Sequence, residues 1–368
     1  MPATRATTTT DDAPRDDAMP ERPAISVLIV DDSVVVRRIM TRVLAHDPRF
    51  AVTGAVSTGD QALAFARKQP VDLVLLDMQM PGLDGLQVLP RLLERGTATQ
   101  VVLLSATCRE GSEVALQALA MGASDVVAKP SAGHFSDAFV EHLLDRLVHL
   151  VPSAERSRTP EPVDQASARL RPPGTLVRAV GIGASTGGIT AIMELIAQLE
   201  GRLKAPIFIT QHLPANFQQL FAEQLRRSTG RAVVVAEDGM AVRPGAIHVA
   251  PGLAHLSLTR DARGQCAIRL TTERCLHGGF PAVDPMFAAM ARVYGAGACG
   301  VILSGMGRDG LAGAQAIVEA GGWTIVQDHE SSAVWGMPGS VAKTGLASAI
   351  LPPPAIADLI LAQCKAAA

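Results

Sequence analysis

From Ile25 onward the chain alternates short apolar runs with amphipathic stretches of helical period. Strand-like runs fall at Val27–Val30, Ala51–Val56, Leu73–Leu76, Val101–Leu104 and Asp125–Ala128. Helix-like runs separate and follow them at Val34–Ala45, Asp60–Lys68, Leu86–Arg95, Ser112–Met121 and Ser136–Leu150. Continuous apolar strands alternating with helices predict a doubly wound parallel sheet of the five-stranded, flavodoxin-like kind. The rhythm stops over 151–175, where Pro152, Pro160, Pro162, Pro172 and Pro173 mark an extended linker. A second βα series runs from Leu176, with strands predicted at Val177–Ile182, Pro206–Gln211, Ala298–Ser304 and Trp323–Gln327. Between them, Ala232–Leu270 reads as a β-rich insertion with turns at Arg243-Pro244-Gly245 and Ala262-Arg263-Gly264. Residues 1–24, rich in Thr, Asp, Pro and Ala, carry no apolar period and read as a disordered leader. The expected organisation is therefore a leader (1–24), an α/β domain (25–150), a linker (151–175) and a second, mostly parallel α/β domain (176–365).

Composition narrows this picture. A chain of 368 residues suits two domains of roughly 150 residues each. The residues are 48% hydrophobic but only 3% aromatic, so small aliphatics must fill the cores, as in parallel sheets covered on both faces. The net charge of -2 gives no footing for nucleic acid. Cys108, Cys266, Cys275, Cys299 and Cys364 are scattered, without zinc-ligand spacing, and suit reduced thiols in a cytoplasm. No apolar run spans a bilayer, and the N-terminus has no secretory h-region, so no membrane insertion is expected.

Chemistry gathers where the first series of strands ends. Asp31 and Asp32 follow the first strand, Asp77 ends the third, Ser105 the fourth and Lys129-Pro130 the fifth. In a parallel sheet these ends share one crevice. Three carboxylates there would repel one another without a cation, and all-oxygen ligands suit Mg²⁺. The bland reading, in which Asp32 or Ser33 merely caps a helix, leaves the other strand ends unexplained. The segments Asp31-Asp32-Ser33, Asp77-Met78-Gln79-Met80-Pro81-Gly82-Leu83-Asp84-Gly85, Ser105 and Lys129-Pro130 resemble a response-regulator receiver domain. The resemblance implies that Asp77 accepts a phosphoryl group and that Asp31, Asp32 and Asp77 hold Mg²⁺. It also implies that Ser105 and Lys129 sense the phosphoryl group and that a histidine kinase is its donor. Gln79 stands where many such receivers carry an acidic residue.

The second domain opens on Gly181-Ile182-Gly183-Ala184-Ser185-Thr186-Gly187-Gly188, between a strand and a helix. Gly183-Ala184-Ser185-Thr186-Gly187 fits the G-x-S-x-G elbow, which lifts a serine clear of a sheet. The same letters nearly fit a dinucleotide loop. That loop would want an acid at the end of the next strand, where Thr210-Gln211-His212 stands. A serine nucleophile needs a base and the base an orienting group. His212 closes the next strand, and Asp309 lies in Ser304-Gly305-Met306-Gly307-Arg308-Asp309-Gly310 after another. Backbone N–H groups of Met306 and Thr186 are the candidate oxyanion donors. Taken singly, Ser185 or Thr186 caps a helix, His212 is a solvated loop histidine and Asp309 caps 311–320; together they converge on one sheet edge. His329 is the rival base, while His248, His255 and His277 are less well placed. The order Ser…His…Asp sets the chain apart from ordinary α/β-hydrolases, which run Ser…Asp/Glu…His.

Gly183-Ala184-Ser185-Thr186-Gly187-Gly188, Gln211-His212-Leu213-Pro214, Ala250-Pro251-Gly252, the Ser304–Gly310 segment and Gly336-Met337-Pro338 resemble the protein-glutamate methylesterases of bacterial chemotaxis. That family joins a receiver to a catalytic domain in this order. The resemblance implies catalytic Ser185, His212 and Asp309, chemoreceptor glutamyl methyl esters as substrates, glutamine deamidation as a companion activity, and no cofactor for the esterase. It is looser over His277–Asp284, to which no role is carried. The alternatives are a receiver with a non-hydrolytic nucleotide-binding output, or a DNA-binding regulator, for which the chain supplies no basic helix-turn-helix.

Overall fold

The computed structural model describes residues 24–94, 99–105, 117–119, 121–129, 137–151, 176–199, 201–213, 215–260, 263–275 and 279–365. The expected leader except Ala24, the expected linker except Val151, and most of the helix expected over 112–121 lie outside the described residues.

The first domain carries β1 (Ile25–Val30), α1 (Val34–Ala45), β2 (Phe50–Val56), α2 (Gly59–Lys68), β3 (Leu73–Asp77), α3 (Gly85–Leu93), β4 (Gln100–Ser105), β5 (Asp125–Ala128) and α4 (Asp137–Leu150). Its sheet runs β2-β1-β3-β4-β5 with every pairing parallel. Every residue of β3 is buried, as a strand covered on both faces by helices requires. The helix starts are set by local sequence. Ser33 caps α1, Thr58 caps α2, and Asp84 with Gln87 forms a reciprocal capping box on α3. The strand order reverses between β1 and β3, so the ends carrying Asp31, Asp32 and Asp77 meet at the switch point.

The second domain carries β6 (Ala179–Ala184), α5 (Gly188–Gln198), β7 (Ile207–Gln211), α6 (Ala215–Thr229), β8 (Val233–Val235), β9 (Ile247–Val249), β10 (His255–Arg260) and β11 (Cys266–Thr271). It continues with α7 (Val283–Tyr294), β12 (Ala298–Ile302), α8 (Leu311–Glu319), β13 (Trp323–Gln327), α9 (Gly336–Ala342), β14 (Ala349–Leu351) and α10 (Pro353–Lys365). Seven strands pair in parallel in the order β14-β13-β12-β6-β7-β9-β8. The stretch read as one insertion divides in two. β8 and β9 extend the main sheet at its edge, and only the antiparallel hairpin β10–β11 stands apart. Its buried face rests on α7 through Leu256, Leu258 and Ile268, packed with Met286, Phe287 and Met290. The switch point of this sheet lies at β6, flanked by β7 on one side and β12 on the other.

The two domains touch along the edge that carries Ser185. Thr186 Oγ1 donates to Asp125 Oδ2 at 3.3 Å, and Asp125 is paired with Arg146 of α4 at 2.5 Å. Thr190 Oγ1 donates to the Leu119 carbonyl at 3.1 Å. Val334 and Met306 join the apolar cluster built on Leu143, Leu144 and Leu147 of α4. No helix among the described residues is long and apolar enough to cross a membrane.

Candidate active site

Strand register brings the second-domain residues together. Ala184 of β6 faces Gln211 of β7, and Ile302 of β12 faces Gly183, so Ser185, His212 and Ser304 leave the sheet side by side. The ladder continues past the strands: His212 N–H donates to the Ala184 carbonyl at 3.0 Å, and Ser185 N–H to that of Ser304 at 3.0 Å. The turn after Ser185 needs Gly187, whose φ of 74° puts it in the left-handed region. Gly305 is needed for closeness, since a Cβ there would stand 2.9 Å from Ser185 Cβ and 2.4 Å from Met337 Sδ.

His212 Nε2 meets Asp309 Oδ2 at 2.8 Å. Asp309, 4% exposed, also accepts the N–H of Val283 on Oδ2 at 2.7 Å and that of Asp284 on Oδ1 at 3.1 Å. Those are the first two N–H groups of α7, whose N-cap, Ala282, has no capping side chain. Asp309 therefore caps α7 and not its own helix. The Asp284 carboxylate returns the favour, accepting the Gly313 N–H of α8 at 2.7 Å. This exchange of caps frees Asp309 from the local role its position suggests and fixes it beside His212. Burial works to raise the Asp309 pKa, but the His212 hydrogen bond and charge, with the two N–H groups, outweigh it and hold the carboxyl below its ordinary value. With Nε2 taken by Asp309, Nδ1 is the ring nitrogen left for Ser185; no hydrogen bond joins Ser185 to His212 among the described residues.

Other groups lock the turn. Gln211 Nε2 donates to the Ser185 carbonyl at 2.8 Å. Ser304 Oγ donates to the Thr186 carbonyl at 2.8 Å and accepts the Val334 N–H at 3.0 Å. Gly305 N–H is spent on the Val334 carbonyl at 2.9 Å, whereas the N–H groups of Thr186 and Met306 donate to no partner among the described residues. Sequence reasoning assigned nothing to Ser304, Val283 or Asp284. Asp284 had one legible signal, an acid in the first turn of a helix. The rival base His329 is exposed and packs edge-on against Trp335, with ring centroids 5.4 Å apart. His277 lies outside the described residues.

In the first domain Asp31, Asp32 and Asp77 bring carboxylate oxygens within 4.8 Å of one another. Lys129 Nζ lies 2.7 Å from Asp77 Oδ2 and 3.1 Å from Asp31 Oδ2. Those two oxygens face only this ammonium among the described residues. Burial pushes the Asp77 pKa up against the pull of Lys129. Burial works to lower the Lys129 pKa, but Asp77 and Asp31 outweigh it and hold it above its ordinary value. Arg37 Nη1 ties down the acidic turn through the carbonyls of Asp31 and Asp32, at 2.6 and 2.9 Å. Ser105 ends β4 opposite Ala128; its side chain lies outside the described residues.

Residues 27–136 match the response regulator receiver domain and residues 180–360 the CheB methylesterase family. Fold and site thus define a response regulator whose output domain is of the methylesterase class. The chain belongs to the protein-glutamate methylesterase/protein-glutamine glutaminase family. It is 37% identical over 361 residues to the group 2 operon enzyme of that name from Rhodospirillum centenum, covering 89% of this chain and 90% of the relative. It is 36% identical to enzyme 1 from Paramagnetospirillum magneticum, covering 94% and 98%. The crystallised catalytic domain of Thermotoga maritima CheB methylesterase is 36% identical, with a TM-score of 0.49, over 50% of this chain and 97% of that domain.

Proposed function

We propose that this protein is a cytoplasmic serine esterase that hydrolyses glutamyl γ-methyl esters, and deamidates selected glutamines, on chemoreceptors. The observation that carries the reading is the 2.8 Å bond from His212 to a buried, helix-capping Asp309, at the sheet edge where the elbow presents Ser185. Ser185 Oγ attacks the ester carbonyl and passes its proton to His212 Nδ1. Asp309 holds the ring in the Nε2–H tautomer and stabilises the imidazolium. The N–H groups of Thr186 and Met306, which have no other described acceptor, stabilise the oxyanion. The C–O bond to methoxide then breaks, and His212 returns the proton so that methanol leaves. Water attacks the acyl-serine with His212 again as base, releasing the glutamate and restoring the Ser185 hydroxyl. For a glutamine the same sequence of steps releases ammonia. The nucleotide-binding alternative loses its footing at the end of β7. Thr210 there bonds Met286 Sδ, and Gln211 bonds the Ser185 carbonyl, leaving no acid for a ribose.

Asp77 is the proposed phosphoacceptor, with a histidine kinase as donor. The acidic cluster fits Mg²⁺, because its donors are all oxygens and, among the described residues, Asp31 Oδ2 and Asp77 Oδ2 are paired with the Lys129 ammonium alone. Asp31, Asp32 and Asp77 would hold the ion, which supplies charge neutralisation for phosphoryl transfer. Lys129 pairs with the phosphoryl oxygens, and Ser105 donates to one. The contacts of Thr186, Thr190, Met306 and Val334 with the receiver support its role as a lid on the esterase edge. Phosphorylation of Asp77 adds charge at one end of the receiver sheet and favours the undocked arrangement. The test is methanol release from methylated receptor membranes, with and without acetyl phosphate. A rate that rises on phosphorylation supports the reading; no release in either state rejects it.

A further inference from the structure

His255, the first residue of β10, is 1% exposed and belongs to no part of the machinery described above. Both its ring nitrogens are engaged by groups whose hydrogen-bonding roles are fixed. Nδ1 accepts the backbone N–H of Ala282 at 2.9 Å, and an amide can only donate. Nε2 faces the Glu273 carbonyl at 3.0 Å, and a carbonyl can only accept. The ring must therefore be neutral and carry its proton on Nε2. Phe280 covers one side, with ring centroids 4.6 Å apart, and the Cys275 thiol lies 3.4 Å from Nε2.

The Ala282 N–H that His255 holds sits immediately before the grip on Asp309. Ala282 is the N-cap of α7, and the next two N–H groups, of Val283 and Asp284, are those that Asp309 accepts. Ala282 offers no side chain to fix that end of the helix. The imidazole of His255, anchored in the hairpin, does so from outside. A line of hydrogen bonds thus runs from the Glu273 carbonyl through His255, Ala282 and α7 to Asp309 and His212. Helix termini fray unless tied, and a shift of the α7 start would carry the Asp309 grip with it.

We propose that His255 is a positioning residue for the hydrolysis, clamping the start of α7 so that Asp309 is held in register with His212. The proposal rests on the triad reading given above. It gives a reason for a histidine, and not an apolar residue, at this buried position: both ring nitrogens meet backbone polar groups. It also identifies the side of the ring that matters, the Nδ1 acceptor.

Two measurements on the full-length protein test it. In histidine-labelled wild-type protein, nitrogen NMR should find His255 as the neutral Nε2–H tautomer at the pH of assay. A Nδ1–H tautomer or an imidazolium there would overturn the clamp without any variant. The second compares His255→Asn, whose Oδ1 falls near the place of Nδ1, with His255→Gln, which offers nothing there. His255→Gln should lose about tenfold in kcat with KM within twofold, as a small misplacement of a catalytic group does. It should also broaden the proton signal of the His212–Asp309 hydrogen bond, and His255→Asn should restore most of both. Equal rates for the two variants, or a loss confined to KM, would refute positioning; should either fail to fold, the tautomer measurement decides. Asp309→Ala serves as the separate control. If it hydrolyses ester at the wild-type rate, the triad reading fails, whatever the state of His255.

Discussion

Replacing Asp309 with Asn changes one atom and removes one charge, and the structure says what each orientation of the amide would meet. With the amide oxygen in the place of Oδ2, it still accepts from His212 and Val283, but the NH₂ group confronts the Asp284 N–H, donor against donor. With the amide flipped, NH₂ faces both the Val283 N–H and His212 Nε2, and the ring must take the Nδ1–H tautomer, which has no lone pair for the Ser185 proton. The first orientation leaves a buried donor unmet at about 1–3 kcal/mol. The second disables the base. Either way the imidazolium loses its counter-charge, and kcat should fall by about 10³–10⁴, or roughly 4–5.5 kcal/mol in the barrier. Acid stability carries a second signature. Because the folded pKa of Asp309 is lowered from 3.8, its contribution is full above that value and is lost as the pH falls through the folded one. The variant should show a shallower loss over that acid range. The assay is methanol release alongside urea unfolding at neutral and acid pH. A folded Asp309→Asn protein within threefold of the wild-type kcat would refute the role given to Asp309.

Other consequences arise from the same geometry. Asp77→Asn should take up no phosphoryl group from acetyl phosphate and Mg²⁺ by mass spectrometry, and label retained in that variant would move the site elsewhere. Gly305→Ala should cost about 1–3 kcal/mol of stability by overpacking, because its Cβ meets Met337 Sδ and Ser185 Cβ. An unfolding curve that matches wild type would show that this close approach is not a constraint. A fragment beginning near Pro172 should exceed the unphosphorylated whole protein by about tenfold if 1 in about 10 molecules is undocked. Equal rates would remove the lid from the account.

The strand ends were already legible in the sequence. Continuous apolar runs such as Leu73–Leu76 can hardly be anything but buried parallel strands, and the polar residues closing them had to converge. What periodicity could not reveal is which neighbour each short strand chooses. Val233–Val235 and Ile247–Val249 are three residues each and look alike whether they extend a sheet or decorate it. The exchange of caps between Asp284 and Asp309 was hidden for a related reason. Local spacing favours Asp309 as the cap of the helix beside it, and only the packing of α7 on α8 reverses the partners. A strand histidine in a hairpin, such as His255, carries no chemistry by pattern alone; its two fixed partners are visible only in the fold.

The claim on which everything else depends is that Ser185 carries the acyl group. It is tested most directly by methanol release from methylated receptor membranes with wild-type and Ser185→Ala proteins, each phosphorylated to the same extent and shown to be folded. The account predicts that Ser185→Ala keeps its phosphoryl uptake and loses ester hydrolysis by a factor of at least about 10³. Release at the wild-type rate from the folded variant would contradict it.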